Sequence, residues 1–261
     1  MAGEDRQEIA GIRLGGAIVS LVEPHPGQAL SFHRWYERDH FYAGCMAGPG
    51  FFAGRRFVAT RALKKLRGPG GDAPAFGSDL GRGSFLALYW LDADREEEAI
   101  AWSIETFHAL RDAGRIFSPA DLVHAGFYRV AHAYCRDAHG VPAPLALDHP
   151  FPGLAMTWVE TGDPEALAEF EAHEITRGAV ALSVELAPRP RPARALNATD
   201  LAAWPRRRVW LHFLDAEPHA AWPAAFGDHG ARLEAAGVGR LVFASPFRPT
   251  VPGSDRYVDE T

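Results

Sequence analysis

The sequence predicts an α+β fold in which two tandem β-α-β-β-α-β units close on each other as a pseudo-dimeric α/β barrel. Three observations predict it. Strand-like and helix-like segments recur in the same order in both halves of the 261 residues. The third strand of each half ends in Leu-Asp-Ala, at Leu91 to Ala93 and again at Leu214 to Ala216. Those strands, FLALYWL and RVWLHFL, are apolar at nearly every position, which requires cover on both faces. Helices cover only one face of a single unit, so the second unit must cover the other.

In the first half, GAIVSLVEP (Gly16 to Pro24) is a β-branched apolar run stopped by the breaker PHPG, and reads as a strand and a turn. A helix over Gln28 to His40 follows, with Leu30, Phe32, Trp35 and Tyr36 at helical spacing, closed by MAGPG. FFAGRRFVAT (Phe51 to Thr60) is the second strand, and the Gly-rich, charged segment Lys64 to Ser84 reads as a long exposed loop. SFLALYWLDA is the third strand. The next segment opens with acids suited to a helix N-terminus and keeps Ile100, Ile104, Phe107 and Leu110 on one stripe. GFYRVAHAYC (Gly126 to Cys135) ends the unit, which is the ferredoxin-like split arrangement.

The second half repeats that order, from GLAMTWVE through AVALSVELAP, a Pro and Arg rich loop and RVWLHFL to GRLVFASPF, with Trp222 answering Trp102. This argues for internal duplication. The division is 12–137 for the first repeat, 138–152 for a Pro-rich linker, 153–250 for the second repeat and 251–261 for a carboxy-terminal tail. Asp92 and Asp215, paired by the repeat, are expected to cap the helices that follow them.

With 47% hydrophobic residues the chain can build a large core without a staple. A formal charge of -6, with no basic run beyond Arg206 to Arg208, argues against nucleic acid as partner. Two cysteines form neither a CxxC pair nor a disulfide framework. The acidic start and the lack of a long apolar run predict no membrane span and a cytoplasmic location. No Walker A, Rossmann, GxSxG or HExxH pattern is present. The expectation is therefore no cofactor and no metal.

The block FHRWYERDHFYAGCMAGPGFFAGRRFV, Phe32 to Val58, resembles the dimeric α/β-barrel superfamily and, within it, the EthD-like proteins. It matches their helix ending in a charged pair and His, their Pro-Gly turn and their second strand. The second repeat has His173 but neither the aromatic pair nor the Pro-Gly turn. The resemblance therefore implies a site in the first half. It also implies chemistry on aromatic or polyketide-like compounds, often with no organic cofactor, among cyclases, isomerases, decarboxylases and monooxygenases. A pseudo-dimer of this kind is compatible with a further homodimer.

The candidate residues come from spacing and from that resemblance together. On a helix, His33, Tyr36 and His40 fall on about one face. A neutral His can take a proton while a Tyr hydroxyl steadies an oxyanion. On the strand FYRVAHAYC the period of two puts Tyr128, His132 and Tyr134 on one face. Tyr89 and His212 occupy equivalent places on the third strands, and Trp210 shares the face of His212. The expected catalytic set is His40, Tyr36 and His132. The expected substrate-binding set is Trp35, His33, Tyr89, Tyr128, Tyr134, Trp210 and His212, lining a cavity at the barrel's mouth or between helix and sheet. The same rings could instead be core filling, and His25 reads as a satisfied turn residue.

The functional expectation is a cofactor-independent lyase, isomerase or cyclase acting by His/Tyr proton transfer on a small aromatic or polyketide-like carbonyl compound. The alternatives are a non-catalytic hydrophobic-ligand-binding or structural barrel, which a filled lumen would favour, and a heme-binding or cofactor-free monooxygenase.

Overall fold

The computed structural model describes residues 8–69, 81–176, 178–189 and 203–261. The first half contributes β2 (Ile12–Pro24), β3 (Phe51–Val58), β4 (Phe85–Asp92) and β5 (Ala120–Cys135), after a short β1 (Glu8–Ile9). The second contributes β6 (Gly153–Glu160), β7 (Val180–Pro188), β8 (Arg207–Leu214) and β9 (Arg240–Pro249). The helices are α1 (Ala29–Trp35), α2 (Arg61–Lys64), α3 (Glu96–Asp112), α4 (Pro164–Glu174), α5 (Pro218–Ala225) and α6 (His229–Ala235).

Each half orders its strands alike, as β5-β2-β4-β3 and β9-β6-β8-β7, and the halves join through β3–β9 and β7–β5. The result is a closed antiparallel barrel of eight strands, with β1 hanging on β2. Its two seams are unequal. β5 and β7 pair from Tyr128 opposite Pro188 to Cys135 opposite Leu182, whereas β3 and β9 share only Phe57 opposite Pro249 and Val58 opposite Arg248. Buried Arg67 braces the short seam: its Nε donates to Ser245 Oγ at 2.9 Å and its Nη2 to the Gly83 carbonyl at 2.7 Å. Gly68 pairs with Ala244 beside it. The part of the expected loop from Lys64 to Arg67 is thus a helix end and a buried clamp. Residues 70–80 of that loop and 190–202 of the Pro and Arg rich one lie outside the described residues.

The period of two sorts the two-sided strands into three cores. Leu86, Leu88 and Trp90 of β4 and Val209, Leu211 and Phe213 of β8 point into the lumen. They meet Trp158, Phe243, Phe247 and Phe57 there. The linker enters one end of this core with Ala143, Ala146, Leu147 and Phe151, and Trp90 Nε1 donates to the Ala143 carbonyl at 3.1 Å. The lumen is filled with side chains, and the expected mouth cavity is absent there among the described residues. The alternate residues of the same strands face two helix layers, one over each half. No helix among the described residues is long and apolar enough to cross a membrane.

Two expectations change. Asp92 accepts from the Asp94 amide in the turn before α3, while Arg95 holds the N-cap position. Asp215 binds Arg136, and Glu217 precedes α5. The acids end the strands rather than cap the helices, because the turns after β4 and β8 set the helix starts two or three residues later.

Candidate functional site

The first helix layer brings Tyr36, Tyr89, His33 and His40 together. α1 starts after Gln28 and buries Phe32 and His33. Beyond Trp35 the helix widens: Phe41 N–H donates to the Tyr36 carbonyl, and Ala47 N–H to that of Tyr42. These i to i+5 turns add a residue per turn and mark a departure from ideal helix geometry of the kind found at functional sites. They leave His40 stacked on Trp35 at 4.7 Å and edge-on to Tyr36 at 5.0 Å. Gly44 makes room for the imidazole, since a Cβ there would lie 2.8 Å from its Cε1.

Tyr36 and Tyr89 meet hydroxyl to hydroxyl at 3.0 Å, both buried. Gly54, opposite Tyr89 on β3, lets the ring in, because a Cβ would approach Met46 Sδ at 2.8 Å and the Tyr89 ring at 2.9 Å. Burial pushes both phenols well above their usual range, and it pushes the neighbouring Cys45 thiol up to about 12. All three are therefore protonated donors at neutral pH.

Arg56, on β3, is 6% exposed, with its guanidinium 4.5 Å from the Tyr36 ring centre and 5.7 Å from that of Phe85. Nη1 donates to His33 Nδ1 at 3.3 Å and to the His33 carbonyl at 3.2 Å. Nη2 has no hydrogen-bond partner, and Arg56 forms no ion pair among the described residues. His33 is fully buried and its Nε2 lies 2.9 Å from the Ser254 carbonyl. A carbonyl only accepts, so Nε2 carries the proton and Nδ1 is the lone pair that receives Arg56. Burial, then the nearby Arg56, lowers the His33 pKa. His40 is lowered to about 4 by burial, with Arg56 adding to the effect and Asp39 opposing it, and its buried Nδ1 has no partner. The layer thus holds neutral imidazoles, protonated phenols and one guanidinium.

The carboxy-terminal tail straps this layer. Besides Ser254, it places the Gly253 amide on Glu37 at 2.6 Å and Asp255 on Arg34. Val258 is buried in the same apolar layer as Phe32, Tyr36 and Tyr89. Between the tail, the His25 turn and the start of α1 runs a groove of about 570 Å³, lined in part by Ala29, Leu30, Arg61, Asp255 and Val258. His25 itself is held by Asp121 at 3.2 Å, as a satisfied turn residue should be.

The other candidate residues lie elsewhere. Tyr128 points into the lumen, where its hydroxyl meets His124 Nε2 at 2.9 Å. A β-bulge between Val130 and His132 reverses the alternation, so His132 and Tyr134 face outward under the second half instead of sharing the face of Tyr128. His132 Nδ1 lies 2.7 Å from Glu185 Oε2, and Tyr134 stacks between His132 and Trp210. Trp210 and His212 face the second helix layer, not the lumen. His212 is bound at both nitrogens, by Ser183 Oγ at 2.8 Å and Thr157 Oγ1 at 3.2 Å. Beside it, buried Glu171 and His229 pair at 3.0 Å. Burial alone would raise Glu171 and lower His229; their mutual attraction outweighs it and holds the carboxyl low and the imidazole high. His132 therefore stands apart from Tyr36 and His40.

Sequence reasoning missed Arg56 and Cys45. A signal for Arg56 was present: Arg55 and Arg56 interrupt a strand that is covered on both faces, so one guanidinium must enter each core. Arg55 indeed turns to the linker and donates to the Leu147 carbonyl at 3.2 Å.

No family model matches the chain, and no curated protein matches it. Solved structures do. One described as an anthrone oxidase-like protein is 12% identical over 92% of this chain and 94% of its own, with a TM-score of 0.51. A putative chlorite dismutase is 12% identical over 94% and 98%, with a TM-score of 0.48. A heme-bound DypB variant from Rhodococcus jostii is 11% identical over 94% and 96%, with a TM-score of 0.49. The likeness is one of fold: two ferredoxin-like units in one chain form the α+β barrel that characterises the dimeric α/β-barrel proteins.

Proposed function

We propose that the chain is an enzyme that deprotonates a small aromatic or polyketide-like carbonyl compound without an organic cofactor, as a lyase, isomerase or cyclase. The observation that carries this is the buried Tyr36–Tyr89 hydroxyl pair beside the cation of Arg56 and the partnerless nitrogen of neutral His40. Donors held in a dry layer stabilise a developing enolate oxygen far better than water does. His40 takes the proton through Nδ1. Tyr36 and Tyr89 donate to the oxygen, His33 fixes the orientation of Arg56, and Trp35 supplies an apolar wall. His132, Tyr128, Tyr134, Trp210 and His212 have no part in this step. The resemblance of the block from Phe32 to Val58 to EthD-like proteins fits the same placement in the first half.

An oxidative variant, suggested by the description of the anthrone oxidase-like neighbour, uses the same deprotonation, with dioxygen as electron acceptor. Heme does not fit. The second layer has an imidazole paired to a carboxylate, but the space between Glu171, His212 and His229 is about 10 Å³, filled around by Phe226 and Ile175. That holds one water. Among the described residues no group of three His, Cys, Asp or Glu could hold a metal ion.

A screen of aromatic and polyketide-like carbonyl compounds tests the reading. For a compound that turns over, Tyr36→Phe and His40→Ala each lower kcat about a hundredfold. Full turnover in both variants overturns the assignment. The filled lumen favours a second reading, a structural barrel with no catalytic role; neither saturable binding nor turnover of any screened compound would support it.

A further inference from the structure

We propose that Arg56 is the receptor for an anionic group of the ligand, so that the compound entering the first layer is an aromatic anion, a carboxylate or a phenolate, rather than a neutral molecule. This rests on the reading that the first layer receives a small molecule. Three independent features support it. The guanidinium is nine-tenths buried, yet among the described residues it forms no ion pair and its Nη2 has no partner. A buried charge of this kind is unfavourable until an opposite charge arrives.

The groups in contact with it are donors or neutral acceptors, and the carboxylate that acts on it, Glu37, does so across His33, 3.7 Å from His33 Nε2. Tyr36, Tyr89 and Cys45 present protons, and the only lone pair that meets the guanidinium from a side chain is His33 Nδ1. A flat guanidinium over the Tyr36 ring, with Phe85 behind it, also forms an aromatic bed. Such a bed accepts a ring carrying one negatively charged oxygen group at its edge. The nearby acids are already engaged: Glu37 by the Gly253 amide and Asp255 by Arg34.

There is also an approach. The groove of about 570 Å³ is large enough for a small aromatic ligand, and its wall residues Ala29 and Val258 belong to the apolar layer of Tyr36 and Tyr89. Asp255, which lines the groove, follows Ser254, whose carbonyl holds His33, which in turn holds Arg56. Arg56 itself does not line the groove, whose lining also holds the acids Glu23 and Asp259 and the cation of Arg61.

The test is a thermal shift on the full chain with benzoate, 4-nitrophenolate, benzyl alcohol and chloride, in the natural protein and in Arg56→Met. The expected result is a rise of about 5 °C at benzoate or 4-nitrophenolate concentrations of about a hundred times Kd, and none with benzyl alcohol or chloride. At equal concentrations of the two, a larger rise with benzoate identifies a carboxylate, and a larger rise with 4-nitrophenolate a phenolate. Arg56→Met weakens that binding about thirtyfold or more. A shift that survives in Arg56→Met, equal shifts with benzyl alcohol, or no shift in the natural protein overturns the proposal. Should Arg56→Met fail to fold, the arginine side-chain nitrogen resonances of the natural protein decide. One of them moves with benzoate and not with benzyl alcohol if the proposal holds, and none moves if it fails. Turnover of a neutral carbonyl compound with no anion binding would leave the proposed function standing and remove this inference. Anion binding with unaltered turnover in Tyr36→Phe and His40→Ala would do the reverse.

Discussion

Tyr89 and His212 stand at the same place in the two repeats, two residues before Leu91 and Leu214, yet their surroundings have diverged into opposite kinds of polar cluster. Opposite Tyr89 on the next strand is Gly54, which leaves space for a large ring; opposite His212 is Ser183, which fills the space and binds the imidazole. In the first layer one nitrogen of the Arg56 guanidinium and one of the His40 imidazole have no partner among the described residues. In the second, both nitrogens of His212 are engaged and His229 is matched to Glu171. Two alike halves thus carry one cluster whose buried cation is unmatched and one whose buried charges are paired, although Trp210 Nε1 in the second also lacks a partner. The second works as a strut.

The largest effect expected from this contrast falls on the strut. Glu171→Ala removes one partner of a buried pair and leaves His229 to lose either its charge or its solvation, and urea unfolding should show a loss of about 3–5 kcal/mol. A loss below about 1 kcal/mol would remove the distinction between the layers. Next, Gly54→Ser, which gives the first layer the residue of the second, forces a Cβ against Met46 and Tyr89 and should cost about 1–3 kcal/mol. The reciprocal Ser183→Ala should cost only about 1 kcal/mol, the worth of one hydrogen bond to His212. Equal losses in both variants would mean that the glycine is not reserved for the ring.

Acid sharpens the comparison further. His40 and His212 both titrate at about 4 in the folded chain, below the usual imidazole value of 6.5, because burial disfavours their charged forms. A depressed folded value means that the unfolded chain binds protons first. Stability is then complete above about pH 6.5 and declines as pH falls towards 4. The Glu171–His229 pair has the opposite sign on its basic side: His229 is raised, so its contribution is full below the usual imidazole range and fades as pH rises through its folded value. Its acidic side belongs to Glu171, whose lowered value preserves the pair until pH falls through it. Unfolding free energy measured from pH 4 to 9 should therefore decline on both sides of neutrality, and Glu171→Gln should flatten the basic decline. A decline that Glu171→Gln leaves unchanged would assign it to other groups.

Much of this was legible in the sequence. The two-sided apolar strands required sheet packed on sheet, and the Leu-Asp-Ala ends aligned the repeats closely enough to pair Tyr89 with His212. Tyr36 and His40 were legible from helical spacing. What failed were the facing assignments. A strand apolar on both sides does not say which face is lumen and which is helix layer, so Trp210 and His212 were grouped with Tyr128, although Tyr128 faces the lumen and they face the second helix layer. The bulge after Val130 reverses every side chain beyond it, and no turn residue announces it, which is why His132 and Tyr134 left Tyr128. Arg56 was overlooked because a charged residue on a strand ordinarily reads as solvent-facing, although this strand had no solvent face to offer.

The central claim is that the first layer receives a ligand and the second does not. Hydrogen–deuterium exchange across the chain, with and without anthrone and, separately, 2-benzoylbenzoate as a neutral and an anionic aromatic carbonyl compound, tests it most directly. The account predicts slower exchange in 29–46 and 253–261, with 164–174 and 229–235 unchanged. Protection confined to the second layer would contradict it, as would no protection in either.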